Sequence, residues 1–144
     1  MLIDELKNIA RNNGIVGAGG AGFPAYAKMT EKADTVILNC VECEPLLKLH
    51  RQLLATHTEE IIQMLDEVRE SFGAKEAVIG IKSEYVTTIK AIEEVIGDFP
   101  NVRICALKAA YPMGDEVVLI YEATGRVIKP GAVSYTHLTL PTKL

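Results

Sequence analysis

Leu2, Leu6, Ile9 and Ala10 recur at i, i+4, i+7 and i+8, so residues 2–13 read as an amphipathic helix that Gly14 ends. Further on, the period changes. Thr35-Val-Ile-Leu-Asn39 is a short β-branched apolar run and predicts a buried strand, with Pro45 closing the segment that follows. Thr56-His-Thr-Glu59 has capping-box spacing and predicts a helix start near residue 57. Ile61, Leu65, Val68 and Phe72 form its apolar face and Gly73 its stop. Residues 77–81 predict a second strand. Ser83 is a candidate cap for a helix with Tyr85, Ile89, Ile92 and Ile96 on one face, ending at Gly97, and residues 102–107 predict a third strand. Strands alternating with helices of this length imply an α/β fold: three layers, a mostly parallel sheet with flanking helices, Rossmann-like in class. Ligands in such sheets collect beyond the carboxyl ends of the strands.

That rule singles out the segments after the first and third strands. Asn39-Cys-Val-Glu-Cys-Glu-Pro45 sets Glu42 and Glu44 two residues apart, on one side if the segment is extended. Such carboxylates repel phosphate and accept hydrogen bonds from ribose or ribityl hydroxyls, with Asn39 available for hydroxyls and ring edges. The plainer reading is a solvated acidic turn. Tyr111-Pro-Met-Gly-Asp-Glu116 leads into an apolar run. Asp115 and Glu116 suit a helix's first turn; Gly114 also permits close approach of a flat ligand, and Tyr111 can stack on it.

The third segment is a glycine loop, Gly17-Ala-Gly-Gly-Ala-Gly-Phe-Pro24, with Lys28 four residues on. Gly17, Gly19, Gly20 and Gly22 leave backbone amides open to a ligand, and Lys28 supplies a cation, which suits a phosphate. The match to G-x-G-x-x-G is weak alone. Helical residues precede it and Pro24 follows at once, so the context opposes the usual dinucleotide turn. A connector that binds nothing is the plainer reading.

Composition changes this picture little. The 144 residues suffice for one domain with a core, and a net charge of -4 gives no reason to expect nucleic acid or an anionic membrane as partner. No apolar run has membrane-spanning length, the N-terminus does not resemble a signal peptide, and three cysteines form no paired framework, which points to the cytoplasm. Cys40 and Cys43, with His50 and His57 downstream, have unusual zinc spacing and read better as buried or half-buried thiols; Cys105 reads as a core thiol. No hydrolase motif is present. Residues 133–144 carry no charge until Lys143 and resemble translated sequencing-adapter read-through. The expectation is therefore a domain over residues 1–132, cut short, followed by a non-native tail.

Taken together, the three motifs resemble the flavin-binding core shared by the NADH-binding flavoprotein subunit of respiratory complex I and the RnfC-like electron transport proteins. The resemblance covers residues 1 to about 132. It implies FMN held by Gly17, Gly19, Gly20 and Lys28, with Asn39 on the flavin and Glu42 and Glu44 near flavin and nicotinamide. Tyr111, Gly114, Asp115 and Glu116 complete the set, and no side chain acts as acid, base or nucleophile. It further implies NADH as substrate, 4Fe-4S clusters in a missing C-terminal part, and iron–sulfur or flavoprotein partners, with peripheral attachment at the inner face of the membrane. Ala18, Val41 and Ala25 stand where complex I has arginine, an acid and threonine, which favours the RnfC-like branch. The rival expectations are a non-enzymatic nucleotide-binding or scaffold domain, and a zinc module on Cys40 and Cys43.

Overall fold

A computed structural model describes residues 1–17, 21–29, 32–44 and 46–128. The helix α1 (Ile3–Asn12) comes first and is followed, after the glycine loop, by a 3-10 turn (Ala25–Lys28). The order then runs β1 (Thr35–Asn39), α2 (Leu49–Thr56), α3 (Thr58–Ser71), β2 (Glu76–Lys82), α4 (Val86–Val95), β3 (Val102–Leu107) and α5 (Glu116–Thr124). The three strands form a parallel sheet in the order β1-β2-β3, with Asn39 opposite Gly80 and Gly80 opposite Cys105. This is the expected α/β class, and each predicted strand is found within a residue of its expected bounds.

Alternation along the strands decides what each face carries. Val36, Leu38, Ala77, Ile79 and Ile81 point into the larger core with Leu54, Ile62, Phe72 and Ile92 from α2, α3 and α4. Phe72, Leu54, Ile62, Ile79, Ile81 and Ile92 are almost wholly buried there, each contributing about 1.5–3 kcal/mol by leaving water. The opposite face is covered by α5, where Leu119 packs with Val41 and Leu107 against Ile37 and Cys105. A Cβ on Gly80 would lie 2.6 Å from Leu119 Cδ1, so glycine in the central strand is what lets α5 sit this close.

Two local expectations are corrected. The helix beginning near residue 57 has no capping box. Thr56 ends a separate helix, α2, and its hydroxyl donates back to the Gln52 carbonyl at 2.9 Å. Ser83 does not cap α4 either; it stays in the turn leaving β2, where its amide donates to Leu107 O, and Tyr85 precedes the helix without a side-chain cap. Gly14 and Gly73 do end their helices, with φ of 61° and 66°. The tail at 133–144 lies outside the described residues, as does Pro45.

Candidate functional site

β1 and β3 both end at the carboxyl edge of the sheet, and there two of the three motifs interlock. Asn39 is the last residue of β1. Its Nδ2 donates to Gly114 O at 3.0 Å while its Oδ1 accepts the Val41 amide at 3.0 Å, a turn stabilised by the side chain itself. Gly114 fits because it has no side chain: a Cβ there would meet Val41 O at 2.2 Å and Cys43 Sγ at 2.6 Å. The next residue, Asp115, caps α5, accepting the amides of Val117 at 3.0 Å and Val118 at 3.4 Å. Glu116 is the first residue of α5, and Tyr111 stands 84% exposed in the preceding turn. Asn39, Tyr111, Gly114, Asp115 and Glu116 therefore share one corner.

The two acids expected side by side are parted. The chain after Cys43 is not extended; it bends at Glu44, whose carbonyl accepts the Leu47 amide at 3.2 Å, and turns into α2. Glu44 is on the exposed side of this turn. Glu42 faces inward, 2% exposed, and its Oε1 accepts the His50 amide in the first turn of α2 at 2.8 Å. Its Oε2 lies 3.7 Å from Arg51 Nε and has no hydrogen-bond partner.

The glycine loop is closed at its base. The Gly17 amide donates to Phe23 O at 3.0 Å, Val16 bridges Pro24, and Ala25 N donates to Ile15 O. Gly22 takes a φ of 69°, which only glycine adopts without strain. Neither a strand before nor an α-helix after frames the loop, so it is not a dinucleotide turn. Lys28 ends the 3-10 turn, its Nζ 5.4 Å from the Phe23 ring centre. Gly19 and Gly20 lie outside the described residues. Among the described residues no hydrogen bond or ion pair joins Gly17 or Lys28 to the Asn39–Gly114 corner.

The cysteines differ in kind. Cys40 is buried, and burial, with Glu42 nearby, pushes its thiol up to about 12. Cys43 is exposed, and Cys105 is half-buried in β3, its Sγ 3.7 Å from Glu122 O. Among the described residues no group of three or more His, Cys, Asp or Glu is placed to hold a metal ion, and no helix is long and apolar enough to cross a membrane.

Behind this corner Arg51 and Thr88 escaped the sequence reading, while Tyr85 and His50 were read only as a helix-face residue and as part of an unusual zinc spacing. The Arg51 guanidinium lies 4.4 Å over the Tyr85 ring, Thr88 Oγ1 donates to Arg51 O at 3.1 Å, and both ring nitrogens of His50 are buried without partners. Burial lowers the His50 pKa, against the opposing pull of Glu42. A signal existed: Leu47, His50 or Arg51, and Leu54 repeat at helical spacing, but the middle positions are polar.

Residues 10–139 match the family described as the Nuo51 FMN-binding domain. The chain belongs to this family. It is 38% identical over 128 residues to a cobalamin reductase of Citrobacter freundii, covering 89% of this chain and 28% of that protein. It is 34% identical over 134 residues to the C subunit of a Na(+)-translocating ferredoxin:NAD(+) oxidoreductase complex of Acetobacterium woodii, covering 90% of this chain and 30% of that one. The crystal structure of an air-oxidized NAD+-reducing [NiFe]-hydrogenase contains a chain with the same fold, at a TM-score of 0.69 and 27% identity over 88% of this chain and 25% of that chain. The chain thus spans less than a third of the length of these curated relatives, and the family is the one its motifs resemble.

Proposed function

We propose that this chain is the FMN-binding part of an NADH-dependent electron-transfer oxidoreductase. The observation that carries the reading is the Asn39–Gly114 hydrogen bond, which draws the second and third motifs together at the edge where parallel sheets bind ligands. The available groups fit FMN. Lys28 has no carboxylate partner among the described residues and stands beside a glycine loop closed at its base, a combination suited to a phosphate. Gly17 shapes this loop rather than donating from it, since its amide is already bonded; Gly19 and Gly20 complete the cradle in this reading.

Asn39 keeps one N–H and one lone pair beyond its two hydrogen bonds, enough to touch a ring edge. Tyr111 offers an exposed face for stacking, and Asp115 and Glu116 offer carboxylate oxygens to ribityl hydroxyls. Glu44, exposed on its turn, is in this reading the acid that accepts hydrogen bonds from NADH. When bound, FMN supplies the chemistry, accepting hydride and releasing electrons singly; the protein positions it, and no side chain here serves as acid, base or nucleophile. Iron–sulfur clusters, partner proteins and attachment to a membrane complex belong, in this reading, to the remainder of a longer protein. The names of the relatives, which are reductases and parts of oxidoreductase complexes, support it.

The test is a titration of the purified protein with FMN and with riboflavin, followed by flavin fluorescence. Lys28→Ala should weaken FMN roughly ten- to a hundredfold, the value of a charge-assisted hydrogen bond of about 1.5–3 kcal/mol, and leave riboflavin nearly unchanged. Equal loss for both ligands would remove Lys28 from the phosphate. Absence of any flavin binding by the wild type would return the chain to a scaffold role.

A further inference from the structure

We infer that Glu42 is a positioning residue, which clamps the turn presenting Asn39, Glu44 and Gly114 from inside the fold and does not itself meet the ligand. The inference rests on the FMN reading above. The Glu42 side chain is 0% exposed, whereas its neighbour Cys43 and the acid at Glu44 are on the surface. Its Oε1 holds the His50 amide at 2.8 Å, one of the amides that a helix start leaves without an internal partner. The negative charge also sits favourably at the positive end of α2.

α2 is in turn fixed to α4. Arg51 lies 4.4 Å over the Tyr85 ring, and its carbonyl accepts the Thr88 hydroxyl. The carboxylate is therefore anchored to two helices, and the backbone on either side of it supports the ligand corner. Val41 O and Cys43 Sγ are the atoms that close on Gly114. A shift of Glu42 is transmitted to that contact through one residue in each direction.

Stability alone is a poor account of this arrangement. Glu42 Oε2 is buried with no hydrogen bond, 3.7 Å from Arg51 Nε, and the two ring nitrogens of His50 are buried and unbonded as well. Buried polar atoms left so cost stability. An apolar residue with water-capped helix amides would avoid that cost, but it would not tie the turn to α2. Oε2 is buried, so for Glu42 to accept a ligand hydroxyl the packing over that oxygen would have to open.

The experiment compares Glu42→Ala and Glu42→Gln in the full chain, titrated with FMN, riboflavin and lumiflavin, the last lacking the ribityl chain. A clamp predicts that Glu42→Ala weakens all three by the same factor, roughly tenfold, the scale of one lost hydrogen bond to a charged group. Glu42→Gln, which keeps an acceptor for the His50 amide, should restore most of the loss. Weakening of FMN and riboflavin with lumiflavin spared would show direct contact with the ribityl hydroxyls and overturn the inference. So would a lowered Tm with all three affinities unchanged. A flavin-independent readout separates this inference from the reading beneath it. Glu42→Ala, or Glu42→Gln to a smaller degree if the alanine variant fails to fold, should speed amide exchange at His50 and thiol modification at Cys43 while Ile79 in the central strand stays protected. Unchanged rates at His50 and Cys43 would overturn the clamp whether or not flavin binds.

Discussion

The two ends of the sheet handle polar groups in opposite ways. At the amino edge, Glu76 of β2 accepts Arg103 Nε at 2.8 Å, Arg103 also donates to Ala123 O near the end of α5, and Arg126 pairs with Asp34 at 3.2 Å. These charges are partnered and largely in water. At the carboxyl edge, Asn39, Glu42 and His50 are drawn inward, and three polar atoms of Glu42 and His50 have no hydrogen-bond partner among the described residues. Helix α5 spans both ends, capped by Asp115 at one and held by Arg103 at the other. Surface ion pairs cost little to make or lose. Buried polar atoms without partners persist only where the surrounding geometry serves something else, and here that geometry brings two distant motifs together.

The largest expected effect comes from the contact that joins those motifs. Gly114→Ala would place a Cβ 2.2 Å from Val41 O, a backbone atom that cannot step aside, so the turn itself must move. A loss of about 1–3 kcal/mol is expected, the usual range for overpacking, with weaker flavin binding. Gly97→Ala is the matched control, because nothing lies within 4 Å of its added methyl. Urea unfolding of both variants checks the pair. If Gly114→Ala is as mild as Gly97→Ala, the interlocked corner is looser than its geometry implies.

Acid should attack the two edges in sequence. The His50 pKa lies below its ordinary value of 6.5 because burial disfavours the cation, although Glu42 pulls the other way. A depressed folded pKa means that its contribution is fully present above about 6.5 and is lost as pH falls through the folded value. Glu76 is held below its ordinary 4.5 chiefly by its hydrogen bond from Arg103, so its contribution is present above that value and lost only lower down. Unfolding free energies measured from about pH 7.5 to about pH 3 should show both limbs. His50→Gln should flatten the upper limb and Glu76→Gln the lower one. A His50→Gln variant with an unaltered upper limb would show that the carboxyl edge is not strained in the way described.

The strands and the class of fold were legible because β1, β2 and β3 are apolar, β-branched runs whose burial needs no knowledge of their neighbours. Glu42 was not legible in the same way. Its spacing from Glu44 suggests a shared direction only if the segment is extended, and the bend at Glu44 depends on α2, a helix whose first turn carries the polar His50 and Arg51. The capping-box reading of Thr56 failed for a related reason: a hydroxyl at the junction of two helices can serve either, and it bonds back to Gln52. Asp115 was legible both ways, and its cap on α5 is the local reading. The three motifs could be found by eye, yet only two are joined by a hydrogen bond among the described residues. Such contacts across 75 positions of sequence depend on the close approach that Gly114 allows, which no local pattern encodes.

The smallest expected effect tests the other half of the comparison. Arg103→Gln removes an ion pair whose side chains are 45% and 36% exposed, together with a hydrogen bond to the Ala123 carbonyl. An exposed pair contributes about 0.2–1 kcal/mol and is screened by salt. The expected loss is therefore up to about 1 kcal/mol in dilute buffer, shrinking as salt is added. Flavin affinity should not change, because Arg103 belongs to the amino edge and its partners touch none of the ligand motifs. The measurement is a pair of unfolding curves at low and high salt beside one FMN titration. A tenfold fall in FMN affinity would mean that α5 carries strain from one edge to the other. The two ends would then have to be treated as one coupled unit, with the cap at Asp115 as the point where the amino edge reaches the ligand corner.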